Sequence, residues 1–265
     1  MVRGWYIGAS GMNVQQNRLD TIANNLANVD TAGYKKDVTS IKSFSELLLR
    51  RKDFDGVYEN PFGSADAAPI IGKIGLGAET NENFIDFSEG SLKLTNTSTD
   101  FALHGKGFFV IQTPQGERYT RNGNFIIGKE GILETKDGYP VLGENGIITL
   151  EDDKFKVNED GMIVTKDNEV IDRFRCVRFD NERYLKKAGN SFYCETDISG
   201  PAHIAEGKER PQFIQIFIET SNVNVVNEMV RMIEVNRAYE ANQKTIQSSD
   251  SMMNTLWNRV ASVQR

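Results

Sequence analysis

From Val225 to Val260 the chain keeps an unbroken 4/3 spacing, and this series limits the architecture more than any other feature of the sequence. It runs through positions 225, 229, 232, 236, 239, 243, 246, 250, 253, 257 and 260. Eight of these are apolar: Val225, Met229, Met232, Tyr239, Ile246, Met253, Trp257 and Val260. The other three, Asn236, Gln243 and Asp250, fall seven apart and share one heptad position. A polar group in a seam costs stability but penalises wrong registers, so it selects partner and alignment. Thr220-Ser-Asn is the start signal for this helix, and Glu219, Glu228 and Glu234 favour its N-terminal half. A shorter seam near the other end uses Met12, Leu19, Ile22, Leu26 and Val29, with Gln15 as its polar member. That helix is expected to stop at Asp30-Thr-Ala-Gly33, where glycine takes the left-handed cap conformation.

Two helices of such unequal length, one at each end, predict an α+β chain. The ends pair as a coiled coil, and an antiparallel β-rich domain is inserted between them. The expected divisions are residues 1–34 (helix), 35–80 (extended, irregular connection), 81–218 (β domain) and 219–265 (helix). Much of the longer stripe would stay uncovered, and an uncovered apolar stripe predicts association with further copies. The competing arrangement is an intramolecular hairpin that buries everything. Because isolated helices are marginal in water, the ends of a lone monomer are expected to order only beside a neighbour.

The middle alternates apolar and polar residues over short runs, as in Gly107-Phe-Phe-Val-Ile and Gln212-Phe-Ile-Gln-Ile-Phe-Ile, which read as strands. Asp137-Gly138, Glu144-Asn145-Gly146 and Asp160-Gly161 provide hairpin turns. Residues 125–141 and 155–171 repeat each other at an offset of 30, pairing Ile127 with Val157, Leu133 with Ile163 and Val141 with Ile171. Two copies are too few for a solenoid and predict a duplicated hairpin. The stretch from Arg50 to Ala78, with its Asp-Gly, Asn-Pro and Ala-Pro steps, reads as a loop.

Charge and motif searches then exclude most chemistry. The net charge is −6, yet residues 1–50 carry six basic and four acidic groups and residues 216–265 carry five of each, so the acidity lies in the middle. With a pI near 5.2 and no basic stripe, nucleic acid is not an expected partner. No run of 18 apolar residues could span a membrane, and the first residues lack the apolar run of a cleaved signal. Cys176 and Cys194 are too few for a disulfide framework and lack a CxxC spacing, so they read as buried thiols or a single bridge. His104 and His203 stand without ligand partners at useful spacing, so no metal site is expected. Gly72-Lys-Ile-Gly75-Leu-Gly77 lacks the flanking strand and helix of a phosphate loop. No catalytic, cofactor-binding or metal residue is assigned, and the chain is read as a structural protein. A secreted β-domain enzyme or glycan binder with helical stalks is the alternative of another class, and a surface filament or adhesin is a third.

Three blocks in order carry a resemblance that covers nearly the whole chain. Ala23-Asn-Asn-Leu-Ala-Asn-Val-Asp-Thr-Ala-Gly-Tyr-Lys35 resembles the N-terminal signature of the bacterial flagellar rod and hook proteins. Ser221-Asn-Val-Asn-Val-Val-Asn-Glu-Met-Val230, with Arg237-Ala-Tyr-Glu-Ala-Asn242, is similar to their C-terminal signature. Gly105-Lys-Gly-Phe-Phe109, Tyr119-Thr-Arg-Asn-Gly-Asn-Phe125 and Gly138-Tyr-Pro-Val-Leu-Gly143 are similar to the β domain they share. The signature positions are Asn24, Asn25, Asn28, Gly33, Asn222, Asn224 and Arg237. The length and single β domain resemble a rod subunit more than the larger hook protein. Pro140–Gly143 followed by Ile147–Leu150 is more similar to the proximal rod subunit adjoining the distal rod, which is the expected position; the Gly75-Leu-Gly77 stretch and the Arg50–Ala78 loop are similar to the distal rod, the alternative. The resemblance implies a helical tube of terminal helices with β domains outside, located in the periplasmic part of the basal body. The implied partners are other copies of the chain, other rod subunits, hook-side subunits and the flagellar type III export apparatus, without a cleaved signal peptide. Phe44-Ser-Glu-Leu-Leu48 resembles the Phe-x-x-x-hydrophobic motif of early export substrates; an aromatic–Leu pair packed in a core is the alternative reading.

Overall fold

A computed structural model describes residues 2–50, 59–60, 63–64, 70–150, 155–166, 169–189, 191–207 and 210–263. Helix α1 (Val2–Ala27) is followed by β1 (Asp37–Arg50), β2 (Glu59–Asn60), β3 (Gly63–Ser64) and β4 (Ile70–Ile85). Then come β5 (Leu92–Leu94), β6 (Phe101–His104), β7 (Phe108–Thr113), β8 (Gly116–Thr120), β9 (Phe125–Ile127) and β10 (Leu133–Thr135). The chain continues through β11 (Phe155–Val157), β12 (Met162–Thr165), β13 (Val170–Arg173) and β14 (Cys176–Arg178) to a 3-10 turn at Glu182–Tyr184. It closes with β15 (Lys186–Lys187), β16 (Phe192–Cys194), β17 (His203–Ile204), β18 (Gln212–Gln215), β19 (Phe217–Glu219) and helix α2 (Val225–Val263). The fold is α+β, with a helix at each end and an antiparallel β-rich middle. Two compact units share the chain. One holds residues 1–21, 39–83 and 230–265; the other holds 22–38 and 84–229.

The second unit contains both apolar clusters. Its largest sheet has the order β15-β16-β8-β7-β14-β17. Strand β7 is central, and its Phe108-Phe-Val-Ile111 run is buried throughout, with Phe109 and Ile111 in one cluster and Phe108 and Val110 in the other. A strand covered on both faces reads as a continuous apolar run, which is why this stretch does not alternate. Around Phe109 the rings of Phe125, Phe174 and Phe213 pack with centroids 5.1 to 5.9 Å away, the offset and edge-on geometries aromatic pairs favour.

The sequence repeat is a pair of hairpins, β9–β10 and β11–β12, turning at the matched glycines Gly131 (φ 75°) and Gly161 (φ 76°). In each turn the glycine N–H donates to the carbonyl three residues back, Gly128 O and Asn158 O.

Five local expectations change. The segment 35–80 carries long strands, β1 and β4, paired in a two-stranded sheet. Of the expected Arg50–Ala78 loop, residues 51–58, 61–62 and 65–69 lie outside the described residues, and the part from Ile70 is strand, including the Gly72–Gly77 stretch. The run from Gln212 to Ile218 divides at Ile216, which holds a φ of 72°. Strand β18 pairs with β6 while β19 pairs with β5, so the chain changes partners there and accepts a conformation costly for a β-branched residue. Helix α1 ends at Ala27, leaving Val29 in the turn beyond it. Helix α2 is capped by Asn224, whose Oδ1 accepts from the Asn227 N–H at 3.1 Å. Thr220 and Asn222 are not available for capping because they bond to Ser91, Asp86 and Ser88.

Candidate assembly site

In the first unit α1 and α2 approach closely and run antiparallel. A Cβ on Gly8 would stand 2.8 Å from Ile246 Cγ1, and one on Gly11 would stand 2.8 Å from Asn242 Nδ2; Gly4 faces Ser249. Glycine at positions 8 and 11 lets the helices come together where a side chain would meet Ile246 or Asn242, whereas a Cβ at Gly4 would make only an ordinary contact. On α2 from residue 230 onward the covered or half-covered positions are Ala238 and Met232, Val235, Tyr239, Asn242, Ile246, Ser249 and Met253, the last seven forming a regular 3/4 series. It shares Met232, Tyr239, Ile246 and Met253 with the expected seam. The other heptad position is Val235, Asn242 and Ser249, one residue before Asn236, Gln243 and Asp250, which are exposed. On α1, Val14 and Ile22 are buried, while Met12, Leu19 and Leu26 are half-buried, as is Val29 in the following turn.

Other apolar side chains of α2 are left uncovered by the described residues. Trp257 is 77% exposed and Met229 49%, and Val226, Val230, Ile233, Met252 and Leu256 are also exposed. Val225 is half-buried. On β1 Phe44 and Leu48 are exposed and an even number of residues apart, so they share a face.

In the second unit three of the seven signature residues, Asn25, Gly33 and Asn222, build a polar clasp. Asn25 Oδ1 accepts from the Asp37 N–H at 2.9 Å and from the Tyr34 hydroxyl at 3.1 Å, and its Nδ2 donates to Asp37 O. Gly33 turns the chain at φ 67° and donates its N–H to Glu219 O at 2.8 Å. Asn222 Oδ1 accepts from the Lys36 N–H at 2.9 Å. Asn28 Nδ2 returns to Asn24 O. Arg237, in the first unit, is exposed. At the centre Lys35 Nζ lies 2.5 Å from Glu219 Oε1 and donates to Ser88 O at 2.7 Å. Arg121 Nε lies 3.3 Å from Glu219 Oε2, and its Nη atoms donate to Gly105 O and Gly107 O. These side chains are 0% (Lys35), 2% (Glu219) and 4% (Arg121) exposed. Burial lowers the Lys35 pKa, opposed by the Glu219 charge. Lys187 donates to Lys35 O and Asp37 Oδ2, and burial lowers its pKa too. The sequence reading assigned no role to Lys35, Arg121 or Glu219 in this cluster.

His104 and His203 are exposed beside Glu89 and Asp180. Both cysteines are free, Cys176 buried and Cys194 half-buried. A concavity of about 530 Å³ is lined by Glu144, Arg173 and Arg175, whose charges pair locally with each other and with Glu117. Among the described residues no three metal-binding side chains converge, and no helix is long and apolar enough to cross a membrane.

Comparison with known proteins accounts for this arrangement. Residues 6–35 match the family described as flagella basal body rod protein, residues 102–165 the flagellar hook protein FlgE/F/G D1 domain, and residues 214–259 the flagellar basal body rod FlgEFG protein C-terminal family. The flagellar basal-body rod protein FlgG of Borreliella burgdorferi is 35% identical, with 96% of this chain and 97% of the relative covered. FlgG of Buchnera aphidicola is 33% identical over 97% and 99%. The flagellar hook-basal body complex protein FlhO of Bacillus subtilis is 31% identical over 99% and 100%. Matched along almost its whole length by such relatives, the chain belongs to the flagellar basal-body rod protein family, whose members are structural and not enzymes.

Proposed function

We propose that this chain joins the rod through the faces its terminal helices leave uncovered, after α1 and α2 pair as a coiled coil. Neighbouring copies, and the other rod and hook-side subunits, cover those faces in the periplasmic part of the basal body. The observation that carries this reading is the exposure of Met252, Leu256 and Trp257 on α2, which no described part of the same chain covers. Each square ångström of apolar surface removed from water contributes about 25 cal/mol, so one shared helix face supplies several kcal/mol per contact. Contacts of this kind are head-to-tail and do not close, so they propagate into a helical filament. Phe44 and Leu48 are read as the segment recognised by the flagellar type III export apparatus, since both remain exposed in the folded chain.

The test replaces Trp257 by Glu in the full-length chain. Folding should be unaffected, because the side chain is already in water. Incorporation into basal bodies and swimming should be lost. A Trp257→Glu chain that still assembles and supports motility defeats the proposal.

A further inference from the structure

In the second unit the segments leaving α1 and leading into α2 meet on one carboxylate, and their attachments are unequal. Strand β19 has its own partners: Phe217 to Glu219 pair with Leu94 to Leu92, the Ile216 N–H donates to Asp100 O, and the Thr220 N–H donates to Ser91 O. None of these involves residues 33–37. That segment, by contrast, places its Gly33 N–H on Glu219 O and its Lys36 N–H on Asn222 Oδ1. Its other ties are Lys35 Nζ to Ser88 O, the Asp86 N–H to Lys36 O, the partly exposed Lys36–Asp86 ion pair at 3.3 Å, and those from Asn25 and Lys187.

The charges are unequal in the same direction. Withdrawing Lys35 leaves the Glu219 charge facing the opposite charge of Arg121 at 3.3 Å, with Oε1 still accepting from the Gly90 N–H, although Oε2 accepts no hydrogen bond. Withdrawing Glu219 leaves Lys35 and Arg121, two cations, side by side out of water. Glu89, the other carboxylate near Lys35, is exposed and engaged with Gly105 N–H and His104, so it does not replace Glu219. A buried charge without its counter-charge is strongly unfavourable.

We infer that the Lys35–Glu219–Arg121 cluster makes docking of the two segments sequential: residues 217–222 seat first, and residues 33–37 seat on them and are released before them. This ordering is independent of what the chain assembles with.

Amide hydrogen exchange of the full-length chain tests it with Lys35→Met, Glu219→Gln and the double variant. Lys35→Met should speed exchange across 29–38 by roughly tenfold while leaving 212–219 within about twofold. Glu219→Gln should loosen 29–38 further than Lys35→Met does, although Lys35 is unchanged. Adding Lys35→Met to Glu219→Gln should return 29–38 to the Lys35→Met rate, because the two cations no longer oppose each other. Equal loosening of both segments by Lys35→Met, or additive loosening in the double variant, overturns the inference. Should Glu219→Gln not fold, Asn222→Ala decides: faster exchange in 29–38 alone supports the ordering, and any other pattern refutes it.

Discussion

Gly33 shows how tightly one residue is constrained. Its φ is 67°, and a Cβ there would stand 2.5 Å from the Arg121 carbonyl carbon and the Asn122 nitrogen. Backbone cannot step aside as a flexible side chain would, so Gly33→Ala should cost about 3 kcal/mol in denaturant unfolding; an unchanged midpoint would contradict the close approach. The cysteines differ in the opposite way from Gly33, through solvation. Burial pushes the Cys176 thiol from 9 up to about 12, while Cys194 is half-buried with its thiol on Lys186 O. A thiol reagent at pH 8 should label Cys194 in the native chain and Cys176 only on unfolding; fast native labelling of both would contradict it. Tyr119 is likewise raised by burial, from 10 to about 12. In both cases the folded chain holds a proton the unfolded chain has released, so the stability involved is whole below pH 9 and is lost as pH rises to 12. The urea midpoint should fall across that window, and it should fall less steeply in Cys176→Ala.

At the scale of elements, periodicity was informative about one chain and silent about partners. The 4/3 series located α2 and half of its covered positions, since Met232, Tyr239, Ile246 and Met253 belong to both stripes. It could not show that Gly8 and Gly11 of α1 would draw the intrachain contact onto Val235, Asn242 and Ser249, because glycine has no hydropathy to read. Gly8→Leu should therefore separate the helices: the added atoms meet Ile246, and helical content should fall by circular dichroism while the β unit's unfolding midpoint stays the same. Retained helicity would mean that the close approach is dispensable. The duplicated hairpins were legible because turn glycines recur at fixed offsets. The break at Ile216 was not, since it depends on which strands wait at β5 and β6. Nor was the Lys35–Glu219 contact legible, because its partners are 184 residues apart and only the closed fold brings them together.

For the whole molecule, the division into two units predicts what truncation does. Ending the chain after Asn242 removes Ile246, Ser249, Met253 and Trp257 from the first unit and leaves every residue of the second in place. Both apolar clusters and the Lys35 clasp lie among residues 22–38 and 84–229, so the second unit should keep its unfolding midpoint, followed by the protection of Cys176 against a thiol reagent. Trp5, then the sole tryptophan, sits in the first unit one residue from Gly4, which faces Ser249. Its emission should shift to the red as that cover is lost. Assembly should vanish as well, because the truncation removes the uncovered Met252, Leu256 and Trp257. A truncated chain that exposes Cys176 would show that the β unit depends on the helix beyond Asn242. One that protects Cys176 and still polymerises would place the joints between copies somewhere other than the far half of α2.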